Sequence, residues 1–176
     1  MYSYELRIPK ERVAVVIGKK GFAKRQLEKL TKTKIEIDSD EGRITISGES
    51  LDVYNARLVI QAVARGFNPV IASSLCNEEN CLEIINIKDF SGKSKKKMAR
   101  LKSRVIGSKG KAWLSIENIT NTHISVYGKT VCIIGKVKDV LIAREAVESL
   151  LKGAPHGPVY HWIEDKKKRA RKWIPR

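Results

Sequence analysis

The chain has 176 residues, 42% of them hydrophobic and 31% charged, a balance that supports folded domains and excludes a broadly disordered chain. Its 35 Lys and Arg against 19 Asp and Glu leave a net charge of +16 spread along the whole length, so the expected partner is a polyanion. No apolar run approaches the roughly 18 residues that a membrane helix needs, and the opening MYSYELRIPK has no apolar secretion-signal core, which sets the membrane aside and makes the cytoplasm the expected compartment.

Residues 1–66 read as a first domain. A strand is predicted over Ser3–Ile8, followed by a helix that ends at the turn Ile17-Gly18-Lys19-Lys20-Gly21. Beyond the turn, Ala23, Leu27 and Leu30 recur at the spacing of an amphipathic helix with one buried stripe. Two alternating, β-branched runs, Lys34–Asp38 and Arg43–Ser47, are predicted strands joined at Asp40-Glu41-Gly42. Val53, Ala56, Ile60, Val63 and Ala64 mark a closing helix. Residues 67–81 read as a connecting helix and loop, with Asn68 as cap and Pro69 in the first turn.

Residues 82–153 write the same unit again, with the glycine turns 89 residues apart. A strand over Leu82–Lys88 leads to a basic insert at 91–104, where Lys93, Lys95, Lys96, Lys97, Arg100, Lys102 and Arg104 face no acid. Then come the turn Ile106-Gly107-Ser108-Lys109-Gly110, the stripe Ala112, Ile116 and Ile119, and strands over His123–Tyr127 and Thr130–Ile134. The closing helix carries Val140, Ala143, Val147, Leu150 and Leu151. Residues 154–176 form a basic C-terminal segment, helical if Val159, Ile163, Lys166, Ala170 and Trp173 share a stripe, with Trp162 and Trp173 as clamps. The element order in each copy is β-α-α-β-β-α, an α+β arrangement of a three-stranded antiparallel sheet with three helices on one face.

Three cysteines, Cys76, Cys81 and Cys132, are an odd number without paired C-x-x-C spacing. They are expected to be small buried or half-buried thiols rather than a zinc site, with a Cys76–Cys81 bridge left open.

The glycine turns carry the functional signal. Two helices meeting across four residues need backbone angles that a Cβ obstructs, and glycine at both ends supplies them. The turn opens onto the N-terminus of the next helix, whose unpaired N–H groups and dipole favour an anion such as phosphate. Lys19 and Lys20 in the first copy and Lys109 beside Ser108 in the second add positive charge there. Lys24 and Lys111 beyond the turns, and Lys97, Arg100 and Arg104 before the second, complete the candidate phosphate contacts.

Gly-Lys-Lys-Gly and Gly-Ser-Lys-Gly, each after an Ile and inside this element order, resemble the GxxG loop of type I KH domains. That resemblance implies single-stranded RNA as ligand, with the loop clamping about four nucleotides and the bases lying in an aliphatic groove. The groove would be lined by Val16, Ile17, Ile35 and Ile37 in the first copy, and by Val105, Ile106, Ile124 and Val126 in the second. The paired modules, the basic insert and the ending G-x-V-Y-x-W-I-E-D-K-K-x-R-x-R-K further resemble archaeal members of the partner-of-Nob family of ribosome-assembly factors. This implies binding of small-subunit ribosomal RNA near its 3′ end, with a processing endonuclease and the alpha subunit of translation initiation factor two as protein partners. The alternative is a general single-stranded RNA-binding protein of translation or RNA decay.

No cofactor, metal or enzymatic activity is expected. His123, His156 and His161 are the only histidines, no carboxylate cluster suggests two-metal chemistry, and no P-loop is present. Strands on both sides of each helical pair disfavour a helix-turn-helix reader of DNA. Of the two clefts, the second, backed by the basic insert, is expected to be more extended and to select the RNA.

Overall fold

The computed structural model describes residues 1–173 and divides into a unit spanning Met1–Asn80 and a second beginning at Cys81. In the first unit, β1 (Tyr2–Arg7) leads to α1 (Lys10–Ile17), a 3-10 turn at Lys19–Gly21, α2 (Phe22–Thr31), β2 (Lys34–Asp38), β3 (Arg43–Gly48) and α3 (Ser50–Ala64). A short α4 (Pro69–Ser73) follows, capped as expected by Asn68, whose Oδ1 accepts the Ile71 N–H at 2.9 Å. The three-stranded sheet has the order β1-β3-β2 and is antiparallel throughout, with Leu6 opposite Ile44 and Ile37 opposite Ile44 on its other side. The inward row Ile35, Ile44 and Ile46 is fully buried under the helices, together with Val53, Ala56 and Ile60 of α3.

The second unit repeats this with β4 (Asn80–Asn86), α5 (Lys88–Ser91), α6 (Lys95–Ile106), a 3-10 turn at Ser108–Gly110, α7 (Lys111–Thr120), β5 (His123–Tyr127), β6 (Thr130–Lys136) and α8 (Val137–Leu151). Its sheet order is β4-β6-β5. β4 stops short of the expected Lys88 because the Asn86 side chain accepts the Lys88 N–H at 3.0 Å, turning the chain into α5. The basic insert begins at the end of α5, turns at residues 92–94 and lengthens α6 to 12 residues against 8 in α1, with Ser94 capping α6 through the Lys97 N–H at 3.2 Å.

One closing helix, α9 (His156–Lys172), contains most of the C-terminal segment and packs along α7 and α8. Val159 and Ile163 are buried as expected, but the stripe ends there: Lys166 and Ala170 are exposed and Trp173 is 85% exposed, so only Trp162 is packed against the core. Lys167 anchors the helix instead, its ammonium 2.5 Å from Asp139 at the start of α8.

Repetition extends to side-chain bonds. Glu28 on α2 accepts the N–H of Ile35 on edge strand β2 at 2.8 Å, and Glu117 on α7 accepts that of Ile124 on β5 at 2.7 Å. Arg57 of α3 stacks on Tyr4 of β1, its carbon 4.6 Å from the ring centroid, whereas its counterpart Arg144 bonds Glu83 of β4 and Glu148. Among the described residues no helix is long and apolar enough to cross a membrane.

Candidate nucleic-acid interface

Both glycine turns adopt one backbone path. Gly18 lies at φ 72°, ψ 177° and Gly107 at φ 73°, ψ 175°, a region essentially reserved for glycine. A Cβ at either would stand 2.6 Å from the Cβ of Ala23 or Ala112, so the first glycine is required by packing as well as by conformation. Lys20 and Lys109 occupy the left-handed region at φ 50° and 52°, a placement that costs a lysine about 1–2 kcal/mol. Gly21 and Gly110 are left-handed too and serve as N-caps that offer α2 and α7 no side-chain acceptor. The first N–H of each helix is taken by a turn carbonyl, that of Lys19 or Ser108, and the N–H groups that follow have no side-chain cap, beside exposed Lys19 and Lys20 or Ser108 and Lys109. No carboxylate pairs with those lysines among the described residues. Lys111 sits exposed in the first turn of α7, where a cation opposes the helix dipole, and a bound phosphate would offset that cost.

The groove beside each turn is narrower in membership than expected. Ile17, Ile37, Ile106 and Val126 are half-buried and reachable, but Val16, Ile35, Val105 and Ile124 are core residues closed under the helices. The alternation of β2 and β5 aims both of its inward residues at the helices, and the strand edge beside Glu28 and Glu117 is the covered one. Lys24 stands on this flank of α2 with its ammonium 3.6 Å from Glu28. Trp113 stands in the same repeat position on α7, half-buried, with an indole N–H that is itself buried and has no partner in the structure. The repeat alignment pairs these two residues and is the signal by which Trp113 was findable.

A family model described as "Eukaryotic type KH-domain (KH-domain type I)" matches residues 81–168, and one described as "KH domain" matches residues 3–62. A KH domain-containing protein of Methanocaldococcus jannaschii is 48% identical over 174 residues, covering 94% of this chain and 76% of that one. Two crystal structures from Pyrococcus horikoshii OT3, one of Dim2p and one of an a/eIF2alpha–aDim2p–rRNA complex, match at TM-score 0.87 and 43% identity. They cover 94% and 96% of this chain and 99% and 95% of theirs. The pre-rRNA-processing protein PNO1 of Coccidioides immitis is 32% identical over 102 residues, 57% of this chain and 40% of the fungal protein. The chain belongs to the archaeal Dim2p/PNO1 family of KH-domain proteins.

Within this Dim2p/PNO1 chain the remaining candidates divide. Lys97 and Arg100 are exposed on α6 with no ion pair among the described residues. Arg104 turns inward: its Nε and Nη2 donate to the carbonyls of Leu150 at 3.0 Å and Ala154 at 2.5 Å, closing the end of α8. Arg12 closes α3 in the same way, at 2.8 Å to Val63 and 2.9 Å to Phe67. Arg104 is thus a helix-end donor, removed from the phosphate contacts. Cys76, Cys81 and Cys132 are thiols outside any disulfide, Cys132 donating to the Thr130 hydroxyl at 3.8 Å, and burial pushes the first two above the ordinary thiol pKa. Among the described residues no three His, Cys, Asp or Glu side chains are grouped so as to hold a metal.

Proposed function

We propose that this chain is an RNA-binding ribosome-assembly factor with no chemistry of its own, acting in the cytoplasm on small-subunit ribosomal RNA near its 3′ end. The observation that carries the reading is the doubled turn: two helix N-termini without side-chain caps, each behind a glycine, a left-handed lysine and a second glycine. In the first cleft the Gly18–Gly21 backbone with Lys19 and Lys20 holds phosphate, while bases lie against Ile17, Lys24 and Ile37. In the second, Gly107–Gly110 with Lys109 and Lys111 does so, bases lie against Ile106, Trp113 and Val126, and Lys97 and Arg100 extend the track. An aromatic face adds about 1–3 kcal/mol per stacked base, which favours the second cleft as the tighter of the two. The relatives named for pre-rRNA processing and for a complex with a/eIF2alpha and rRNA support this reading. The complex with a/eIF2alpha supports the alpha subunit of initiation factor two as a protein partner, and a processing endonuclease is the second protein partner we propose.

Fluorescence anisotropy with a single-stranded oligonucleotide from the 3′ end of small-subunit rRNA, against a scrambled strand and a duplex of equal length, tests it. The rRNA strand should bind at least tenfold more tightly than either. Equal affinity for the scrambled strand would replace the ribosomal reading with that of a general single-strand binder.

A further inference from the structure

The two units differ where their last helices lie. Pro69 at the start of α4 stands in repeat register with His156 at the start of α9, but α4 ends after 5 residues while α9 runs for 17. In the second unit α9 covers the channel between α7 and α8, and Ile119 is packed against the core. In the first unit the corresponding channel is open. It is an apolar groove of about 660 Å³ whose lining includes Phe22, Leu27 and Leu30 of α2, Val59 and Val63 of α3, and Val70 of α4. Phe22 is 59% exposed, Leu30 53% and Val70 81%, although the amphipathic spacing marks Leu30 as a buried position.

We propose that this groove docks an amphipathic helix of a partner protein whose polar flank is acidic. That an occupant is a helix follows from the molecule itself, since the same groove is filled by a helix in the other unit. The charge comes from the flank. α7 carries one lysine along its length and receives the basic α9, whereas α2 carries Lys24, Arg25, Lys29 and, at its end, Lys32. Arg25 and Lys29 are exposed and lie one helical step outside the groove-lining Phe22 and Gln26, where they repel a second helix like α9 and attract carboxylates. The RNA bases are assigned to the opposite flank of α2, that of Lys24 and Glu28, and the groove meets the turn only at Gly18, short of Lys19 and Lys20, so both ligands can be held at once.

The test uses the full chain and two synthetic peptides: the sequence of α9, and the same sequence with Lys166, Lys168, Arg169, Arg171 and Lys172 changed to Glu. Methyl NMR should show the acidic peptide shifting Leu27, Leu30, Val59, Val63 and Val70, with affinity at least tenfold above that of the basic peptide. Leu30→Asp with Val70→Asp should abolish the shifts while thermal unfolding and RNA affinity stay as in the parent. Arg25→Glu with Lys29→Glu should reverse the peptide preference. No binding, equal binding of both peptides, or shifts elsewhere overturns the proposal. Displacement of the acidic peptide by single-stranded RNA would overturn it too, giving the groove to nucleic acid.

Discussion

Replacing Lys19 and Lys20 with Asp reverses the charge of the first turn without straining it, because Asp tolerates the left-handed conformation at position 20 better than Lys does. The change is four units of charge. At about 5 Å from a phosphate in water, each unit is worth about 0.8 kcal/mol. The total of about 3 kcal/mol falls to about 1.7 after screening at physiological ionic strength, where the Debye length is about 8 Å. Affinity for single-stranded RNA should therefore drop roughly 20-fold, since 1.4 kcal/mol is tenfold. Two phosphate contacts are lost as well, so the slope of log K against log salt should become shallower by about 1.4. Asp at Ser108 and Lys109 alters three units and removes one lysine, which predicts a roughly tenfold loss and a slope change of about 0.7. Anisotropy titrations from 50 mM to 300 mM salt, with circular dichroism as the folding control, measure all four quantities. Unchanged slopes in both variants would refute the assignment of the turns to phosphate.

Other outcomes follow from single side chains. Gly18→Ala forces a Cβ against Ala23 and a forbidden φ, and should destabilise the first unit by about 3 kcal/mol. Gly110→Ala meets open space and only the φ penalty, about 1 kcal/mol, so thermal unfolding should rank the two clearly. Glu117→Ala leaves the Ile124 N–H without its acceptor, a loss of about 1–3 kcal/mol that hydrogen exchange at that amide should report. Arg104→Ala removes two charge-assisted bonds to the end of α8 and should lower the melting temperature of the second unit while leaving RNA affinity at 25 °C within about twofold. Trp113→Lys gives the second cleft the residue of the first, and should weaken RNA binding by about 1–3 kcal/mol whichever base is stacked there. In the parent protein with Trp162 and Trp173 changed to Phe, RNA should quench the remaining indole emission that Trp113 and its surroundings produce.

The strands and glycine turns were legible because their signals are local. Alternation fixes Lys34–Asp38 and His123–Tyr127, and the turn conformation is dictated by the glycines it contains. What lay hidden depends on partners distant in sequence. Leu30 and Ile119 occupy the same place in the same pattern, yet Leu30 is exposed, because burial there is decided by whether a helix from the far end of the repeat reaches it. Arg104 read as one more cation in a basic run, and only the carbonyls of Leu150 and Ala154 reveal its use. Spacing places Val16 and Ile35 on the side of the groove, while depth along that side is set by the helix above it. Trp113 is, in the sequence, one apolar residue among others, and only the place of Lys24 beside Glu28 in the first unit marks its position as facing the edge strand.

The RNA sites we propose are two separate clefts, each formed by a glycine turn and the edge strand beside it. Crosslinking with 4-thiouridine-substituted RNA from the 3′ end of small-subunit rRNA, read by mass spectrometry of the crosslinked peptides, tests this directly. The account predicts crosslinks in two clusters, one at residues 17–24 and 37 and the other at residues 106–113 and 126. Crosslinks confined to α9 or to a single unit would contradict it.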